Sequence, residues 1–196
     1  AAEAMPFVLP CYAAASFHPI TGGNRTNLTL AGLLYEGLFA VTPDFKAEPV
    51  LCSEYTVSED GLAWTFTLDV SARFSDGSAL APADVVYSLN LARQSALYSQ
   101  RLSEISGVAA GEGTVTVTLS TANGALPLLL DVPVVRESGD SGCPLGTGPY
   151  VLEGEEDALT LRGWRADAPL AEIPLLAVTE AGDLIHAFET RDVSLV

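Results

Sequence analysis

The sequence is poor in positive charge. Its 196 residues contain nine lysines and arginines, of which Lys46 is the only lysine, against 25 aspartates and glutamates. The formal net charge is −16 at pH 7. A chain this acidic is repelled by phosphate backbones and by anionic lipid surfaces, which argues against nucleic acid as a partner. The acidity favours solubility, and a preference for cationic ligands is the weaker interpretation.

Long apolar runs and metal-ligand clusters are also missing. The longest uncharged stretch, residues 4–24, contains three prolines and Gly22-Gly23, so it does not form one membrane helix. Two histidines and three widely spaced cysteines, with no CxxC pair, predict no metal site and no cofactor. Cys11, Cys52 and Cys143 fit either one disulfide and one thiol or, as the favoured interpretation, three buried thiols.

No catalytic group stands out. The sequence has no GxSxG motif and no recognisable pairing of a histidine with a nucleophile. The glycine-rich stretch 146–148 lacks the Lys-Ser/Thr of a phosphate-binding loop and predicts a tight turn before a strand. Glu36 is interpreted as a hydrogen-bonded structural acid, and a hydrolase that acts through Glu36 is the less favoured alternative. We therefore predict no catalytic residue.

Hydrophobic periodicity predicts short strands mixed with helices. Alternating apolar residues predict half-buried strands at 64–68 and 114–119, the latter paired with 108–110. Helical spacing predicts helices that begin at Leu28, capped by Thr26 or Asn27, and at Pro82. Shorter helical segments are expected at 96–105, 125–130 and 183–188, and further extended segments at 7–11, 132–135, 150–152, 159–164, 173–178 and 193–196. This pattern indicates an α+β fold.

The loop from Tyr12 to Asn27 follows a predicted buried strand and precedes a predicted helix. A loop in this position directs backbone N–H groups and small polar side chains towards whatever lies beyond it. A solvent-exposed connection explains the loop equally well. The candidates to line a ligand surface are Tyr12, Phe17, Asn24, Arg25 and Asn27.

Four stretches, in order, resemble one known family. They are LYEGLF (34–39) with the following Thr-Pro-Asp, the segment 53–93, GTGPYVL (146–152) and the final RDVSLV. Over about residues 7–196 the chain resembles the oligopeptide-, dipeptide- and nickel-binding proteins of ABC importers, solute-binding family 5. It departs from the family pattern at Ala81, where Thr or Ser is usual, at Cys52, usually Ala, and at 163–167, which replaces an Asn-Pro-x-Tyr-Trp segment.

The resemblance implies a mixed α/β fold of the α+β class, the first lobe of a type II (class C) periplasmic-binding-protein-like fold. It implies that residues 1–45 and 145–196 form the lobe sheet, and that residues 46–144 form an inserted subdomain of strands and helices. The second lobe is expected to be absent from this chain. A strand that starts at Val193 and stops at the terminus agrees with a fragment of a longer protein.

The resemblance also implies a function. We expect a monomeric bacterial receptor at the periplasmic or extracellular face of the membrane, tethered only through a removed N-terminal anchor. It captures a peptide or similar solute between two lobes and delivers it to an ABC permease, without catalysis. The alternative is the ligand-sensing domain of a regulator. Besides the loop, with Thr26, the expected ligand-facing residues are Tyr98 and, within 132–136, Val134 and Arg136. Arg136 is expected either to pair with a ligand carboxylate or to lie on the surface.

Overall fold

The chain folds around two four-stranded sheets. The computed structural model describes residues 7–137, 142–155 and 157–194. In chain order its elements are β1 (Leu9–Cys11), α1 (Arg25–Leu34), β2 (Phe39–Val41), β3 (Ala47–Pro49), β4 (Cys52–Val57), β5 (Ala63–Leu68), α2 (Pro82–Gln94), β6 (Ile105–Ala110), β7 (Thr114–Leu119), α3 (Leu126–Leu129), β8 (Tyr150–Glu153), β9 (Thr160–Gly163), β10 (Glu172–Ala177) and α4 (Ala181–Glu189). None of the described helices has the length and apolar character needed to cross a membrane. The predicted α+β class is confirmed.

The first sheet joins the beginning of the described chain to its end. Its strand order is β1-β10-β9-β8, with β1 parallel to β10 and the other pairs antiparallel. Leu9 lies opposite Leu175, and Cys11 lies opposite Ala177. α1 contacts both β1 and β8. Parallel strands need a long connection, and here that connection contains the whole second sheet.

The second sheet is antiparallel, in the order β4-β5-β7-β6. Trp64, Phe66 and Leu68 of β5 are buried, and so are the alternate residues of β7, which confirms the predicted alternation. The predicted pairing of β6 with β7 is also confirmed. The ring of Phe66 lies 5.7 Å from that of Phe39 at an interplanar angle of 76°, an edge-on contact that joins β2 to this sheet.

Both long helices have caps that the apolar periodicity did not identify. α1 begins at Arg25, three residues before the predicted start, and Asn24 Oδ1 accepts the N–H of Asn27 at 3.0 Å. The prediction of Thr26 or Asn27 as the cap was wrong, because the first turn carries no apolar residue to mark it. α2 begins at Pro82 as predicted. Ala81 has no capping oxygen, and Asp84 Oδ2 instead accepts the N–H of Ala81 at 2.9 Å.

The helix predicted at 96–105 is absent. Residues 96–104 form consecutive turns, and β6 begins at Ile105. The hydroxyl of Ser95 accepts the N–H of Tyr98 at 3.2 Å, and the carbonyl of Ser95 accepts the N–H of Ser99. Serine hydroxyls offer the backbone such local partners outside a helix, which favours turns over a continuous helix in this short segment.

The other predicted elements mostly agree with the structure. The hairpin of β8 with β9, strand β10 and helices α3 and α4 are confirmed, with boundaries shifted by one or two residues. Residues 132–135 belong to no strand, although most of this segment is buried. Val193 and Ser194 also lie outside any strand, and the rest of the segment predicted there lies outside the described residues.

The cysteines are thiols rather than a disulfide. Cys11 and Cys52 are buried, and burial raises the pKa of each thiol to about 11. The sulfur of Cys143 lies 3.5 Å from the hydroxyl of Tyr35, and burial raises its pKa as well. The interpretation of three thiols that act mainly as small apolar groups is the one that the structure supports.

The GTGPY stretch forms a tight contact with the C-terminal end of α1. The N–H of Gly148 donates to the carbonyl of Leu34 at 3.0 Å. A Cβ placed on Gly146 would lie 2.2 Å from that carbonyl oxygen, and one placed on Gly148 would lie 2.5 Å from the Leu34 carbonyl carbon. Glycine is therefore needed at both positions, because the backbone of this stretch contacts the backbone of Leu34 and leaves no space for a side chain. The stretch leads into β8, as the predicted turn before a strand.

Replacing Gly148 by alanine should destabilise the protein, whereas the same change at Gly32 should not. Gly148→Ala forces a methyl group against rigid backbone, and we expect a loss of about 2 kcal/mol in the free energy of unfolding. Gly32 is exposed inside α1 with no atom within 4 Å of an added Cβ, so Gly32→Ala should gain about 0.5–1 kcal/mol. Urea unfolding measures both changes, and equal effects at the two positions would contradict this packing.

Candidate ligand-binding surface

Asn27 organises the loop that precedes α1. Its side-chain oxygen accepts the N–H of Tyr12 at 2.9 Å. Its amide nitrogen donates to the carbonyls of Tyr12 at 2.9 Å and Ala15 at 3.2 Å, with that of Ser16 at 3.4 Å. The side chain thus holds the start of the loop against the first turn of α1. Asn27 is 1 % exposed, so it shapes the loop and has no free surface for a ligand.

A second side chain, His18, fixes the far part of the loop. Its Nδ1 accepts the backbone N–H groups of Ile20 and Thr21 at 3.1 and 3.2 Å. Nδ1 accepts both bonds only when it carries no proton. His18 and Ile20 are buried, while Thr21 and Gly23 are exposed at the tip of the loop.

The remaining loop candidates do not form one surface. Phe17 is buried, and its N–H donates to the carbonyl of Gly142 at 2.8 Å. Tyr12 is half-buried, and Asn24 is occupied as the cap of α1. Arg25 and Thr26 instead line an apolar groove beside β1. Sequence reasoning placed these residues together because they are neighbours in the chain, and the first turn of α1 separates them.

Val134 and Arg136 lie in a segment that other elements hold in place. Val134 is buried and its N–H donates to the carbonyl of Glu36 at 2.8 Å. Arg136 forms an ion pair with Asp76 and donates to the hydroxyl of Ser78 at 3.0 Å. Hydrogen bonding from Ser78 and, to a smaller extent, the charge of Arg136 lower the pKa of Asp76. Arg136 therefore already has a carboxylate partner within the chain.

Helix α2 anchors this same segment. The hydroxyl of Ser88, wholly buried, accepts the N–H of Val135 at 2.9 Å. Asp84 Oδ1 accepts the N–H of Glu137 at 2.8 Å, while its other oxygen caps the helix. The segment 132–137 is therefore fixed through its backbone on both sides of Arg136, although it belongs to no strand.

The structure brings Tyr98 together with two charged residues. The guanidinium carbon of Arg101 lies 5.0 Å from the centre of the Tyr98 ring, and Arg101 pairs with Asp131 at 2.6 Å. Burial raises the pKa of Tyr98; the charge of Arg101 lowers it and that of Asp131 raises it further. About a third of each charged side chain is exposed, 34 % for Arg101 and 35 % for Asp131. An aromatic face with one cation and one anion can bind a small zwitterion.

Sequence reasoning missed Arg101 and Asp131. They are 30 positions apart, and no local pattern marks this pair among 25 acids and nine bases. The one relevant sequence feature was Gly37 in the LYEGLF stretch, since a glycine can mark a place where another backbone segment approaches closely. A Cβ on Gly37 would lie 2.9 Å from the backbone of Leu130, Asp131 and Val132 alike. This close approach determines where Asp131 lies.

Glu36 is a structural acid in this geometry. It pairs with Arg165 at 2.7 Å and accepts the hydroxyl of Thr147 at 3.0 Å. Arg165 also donates to the carbonyl of Thr147 and pairs with Asp167. The carboxylates of Asp167 and Glu36 raise the pKa of the Arg165 guanidinium. Both Glu36 oxygens therefore have partners within the chain. Within the described residues, no cluster of three His, Cys, Asp or Glu side chains is arranged to hold a metal ion.

Removing the Asn27 side chain should cost more stability than removing the helix cap. Asn27→Ala leaves the N–H of Tyr12 without its partner and removes the amide that donates to the carbonyls of Tyr12, Ala15 and Ser16, for an expected loss of about 3 kcal/mol. Asn24→Ala removes a partly exposed cap and should cost about 1 kcal/mol. Urea unfolding of the two variants tests the difference, and similar losses would contradict the role assigned to Asn27.

The comparisons with known proteins agree with one another. The sequence matches the family described as bacterial extracellular solute-binding proteins, family 5 Middle, over residues 46–195. The glutathione-binding protein GsiB of Salmonella typhi is 32 % identical over 149 residues, which cover 69 % of this chain and 29 % of the relative. GsiB of Escherichia coli strain K12 is 28 % identical over the same shares. The chain therefore spans less than a third of the curated relatives that it matches.

Solved structures show the same fold. NikA from Brucella suis, in complex with Fe(III)-EDTA, superimposes with a TM-score of 0.79 at 18 % identity, over 98 % of this chain and 43 % of NikA. Listeria monocytogenes OppA bound to peptide gives a TM-score of 0.72 at 21 % identity, over 98 % of this chain and 46 % of OppA. The fold that the sequence resemblance implied is confirmed. Because the family match takes in most of its residues, the chain belongs to family 5 of the bacterial extracellular solute-binding proteins.

Proposed function

We propose that the protein that contains this chain is the substrate-binding component of an ABC importer. It captures a peptide or a similar small solute between this lobe and a second lobe, and delivers it to the membrane permease. Membership of family 5 over residues 46–195 is the observation that carries the proposal. The protein acts at the periplasmic or extracellular face of the membrane, as a monomer and without catalysis.

The strand order of the two sheets supports a division of the lobe into two units. We assign residues 1–45 and 145–196 to one unit, in keeping with the β1-β10-β9-β8 sheet, whose strands come from both ends of the described chain. Residues 46–144 form the inserted subdomain, which contributes the antiparallel sheet and α2. The second lobe lies in a part of the polypeptide outside residues 1–196, in keeping with the 29 % of GsiB that the chain spans.

The ligand contacts this lobe at Tyr98 and at the exposed tip of the loop that Asn27 and His18 organise. Tyr98 offers a half-buried ring, and Arg101 and Asp131 beside it offer opposite charges. Peptides in solution carry an ammonium and a carboxylate group, which pair with Asp131 and Arg101 respectively. The two side chains compensate each other's charge in the absence of ligand, so neither is left as an uncompensated charge.

Capture depends on a rigid lobe face. Ser88 and Asp84 of α2 hold the segment 132–137, and Gly37 fixes the backbone around Asp131. A preorganised face costs little conformational entropy when a ligand binds. Hinge bending then brings the second lobe over the ligand, and the closed form is the one that the permease recognises.

Residues 1–196 alone should bind ligand weakly, because a single lobe supplies only part of the contacts. We expect a Kd weaker than about 1 mM for glutathione and for a tripeptide, by isothermal titration calorimetry. The whole polypeptide serves as the positive control. A Kd in the range of about 1 nM for residues 1–196 would contradict capture between two lobes.

In the whole polypeptide, Tyr98→Ala should weaken binding by about tenfold or more, since it removes an aromatic contact at the site. Tyr87→Ala is the matched control, because Tyr87 is also half-buried but lines a groove beside α2 that does not include Tyr98. The probes are the ligands of relatives: glutathione, peptides, the nickel–histidine complex and mannopinic acid. Native mass spectrometry detects the bound probe. Equal affinities for the two variants would exclude Tyr98 from the site.

A further inference from the structure

The hairpin of β2 and β3 ends in an exposed aromatic residue. Phe45 is 81 % exposed, more than any other described aromatic side chain. Its neighbours Pro43, Asp44 and Lys46 are exposed as well. These four residues, 43–46, are the hairpin tip, and the proposed ligand contacts do not use them. The described part of the chain leaves most of the Phe45 ring in water.

The turn at the hairpin tip favours glycine at position 45. The N–H of Thr42 donates to the carbonyl of Lys46, and the N–H of Phe45 donates to the carbonyl of Thr42, both at 2.9 Å. These bonds close a loop of three residues, and the last residue of such a loop adopts the left-handed conformation. Phe45 accordingly has a φ of 56°. A side chain crowds the backbone in this conformation, whereas glycine does not. The chain therefore places phenylalanine where its conformation is unfavourable and its ring is in water.

The rest of the hairpin holds the Phe45 ring in a fixed place. The hydroxyl of Thr42 accepts the N–H of Lys46 at 3.2 Å. At the base of the hairpin, Phe39 is 2 % exposed, and its ring lies 6.0 Å from that of Tyr55 at an interplanar angle of 71°. A rigid hairpin with an aromatic side chain loses little conformational entropy when a partner covers the ring.

Charge limits the kind of partner that the hairpin tip can contact. Asp44 and Glu48 lie on either side of Phe45 in the chain, whose formal net charge is −16. An anionic bilayer repels such a surface, and one phenylalanine buries too little apolar area for stable membrane anchoring. Two copies of the chain also repel each other. These charges favour a different protein with an apolar pocket, since an aromatic residue in a pocket is a common anchor of protein–protein interfaces.

Lys46 adds a polar feature to that pocket. It is the only lysine of the sequence, and in the part of the chain that the structure describes no carboxylate pairs with it. Because Lys46 directly follows Phe45, an acidic side chain at the rim of the pocket can pair with it while the ring is buried.

We propose that Phe45 is a docking residue for the permease, whose outer face receives the ring in an apolar pocket with an acidic side chain at its rim. This inference rests on the importer of the proposed function, because the importer supplies the partner protein. It adds to that function a particular contact residue, far in the chain from the candidate ligand contacts at Tyr98, Arg101 and Asp131.

Binding of the whole polypeptide to the importer of the same organism, reconstituted in lipid nanodiscs, tests the proposal. Biolayer interferometry measures the affinity in the presence of glutathione and of a tripeptide. Phe45→Gly should weaken binding to the importer by about tenfold or more, because it removes the anchoring ring. Phe45→Tyr keeps an aromatic ring and should retain most of the affinity. Val70→Ala is the matched control, because Val70 is 90 % exposed in the turn after β5, and its affinity should stay within about twofold.

Urea unfolding of the same variants separates docking from folding. Glycine relieves the crowding at position 45, so Phe45→Gly should raise the urea midpoint, in keeping with roughly a threefold gain in the ratio of folded to unfolded protein. A lower midpoint would overturn the proposal, because the ring would then be packed inside the polypeptide itself.

Three further results would count against a permease contact. One is equal binding of the unsubstituted protein to nanodiscs without the importer, which would make lipid the partner. Another is self-association that Phe45→Gly abolishes, which would make a second copy the partner. The third is importer binding that Phe45→Gly leaves unchanged, which rejects this inference alone. If the unsubstituted protein does not bind the importer at all, the proposed function is rejected and this inference with it.

Discussion

The close approach of backbones around the end of α1 determines the rest of this lobe. The carbonyl of Leu34 accepts the N–H of Gly148, and Gly37 lies against the backbone of 130–132. The first contact ties α1 to the strand that follows Gly148, and the second places Asp131. Neither leaves room for a Cβ. Side chains of Glu36 and Arg165 then brace the same junction with an ion pair. The sheet, the helix and the segment beside the candidate site are therefore positioned by one small region.

The fold was largely predictable from sequence because its strands carry local signals. The alternation in β5 and β7 reflects one buried face in each strand, and that pattern is visible in the residues themselves. Helix boundaries were less predictable. Asn24 caps α1 before any apolar residue appears, and the hydroxyl of Ser95 favours turns where a helix was expected. In both places a polar side chain bonded to nearby backbone decides the local structure.

The candidate site was less predictable, because its contacts join residues far apart in the chain. Asn27 was expected at a ligand surface, yet its side chain is used to hold Tyr12. Arg136 was expected either to pair with a ligand carboxylate or to lie on the surface. Its partner in the structure, Asp76, is 60 positions away in the chain. No pattern in the sequence reveals which carboxylate a given arginine takes. Among the described residues, four of the eight arginines form an ion pair with a carboxylate, namely Arg101, Arg136, Arg162 and Arg165.

The parallel pairing of β1 with β10 has a consequence for how the chain becomes folded. Leu9 of β1 can pair with Leu175 of β10 only after Leu175 has been synthesised. Every strand of the antiparallel sheet, by contrast, lies between residues 52 and 119. During synthesis from the N-terminus, all the strands of the antiparallel sheet are therefore made well before β10. That sheet can form before β1 pairs with β10. Until β10 has been made, β1 has no partner strand, whereas the antiparallel sheet already has all four of its strands. The pairing that closes this sheet therefore joins the earliest of the described strands to the latest.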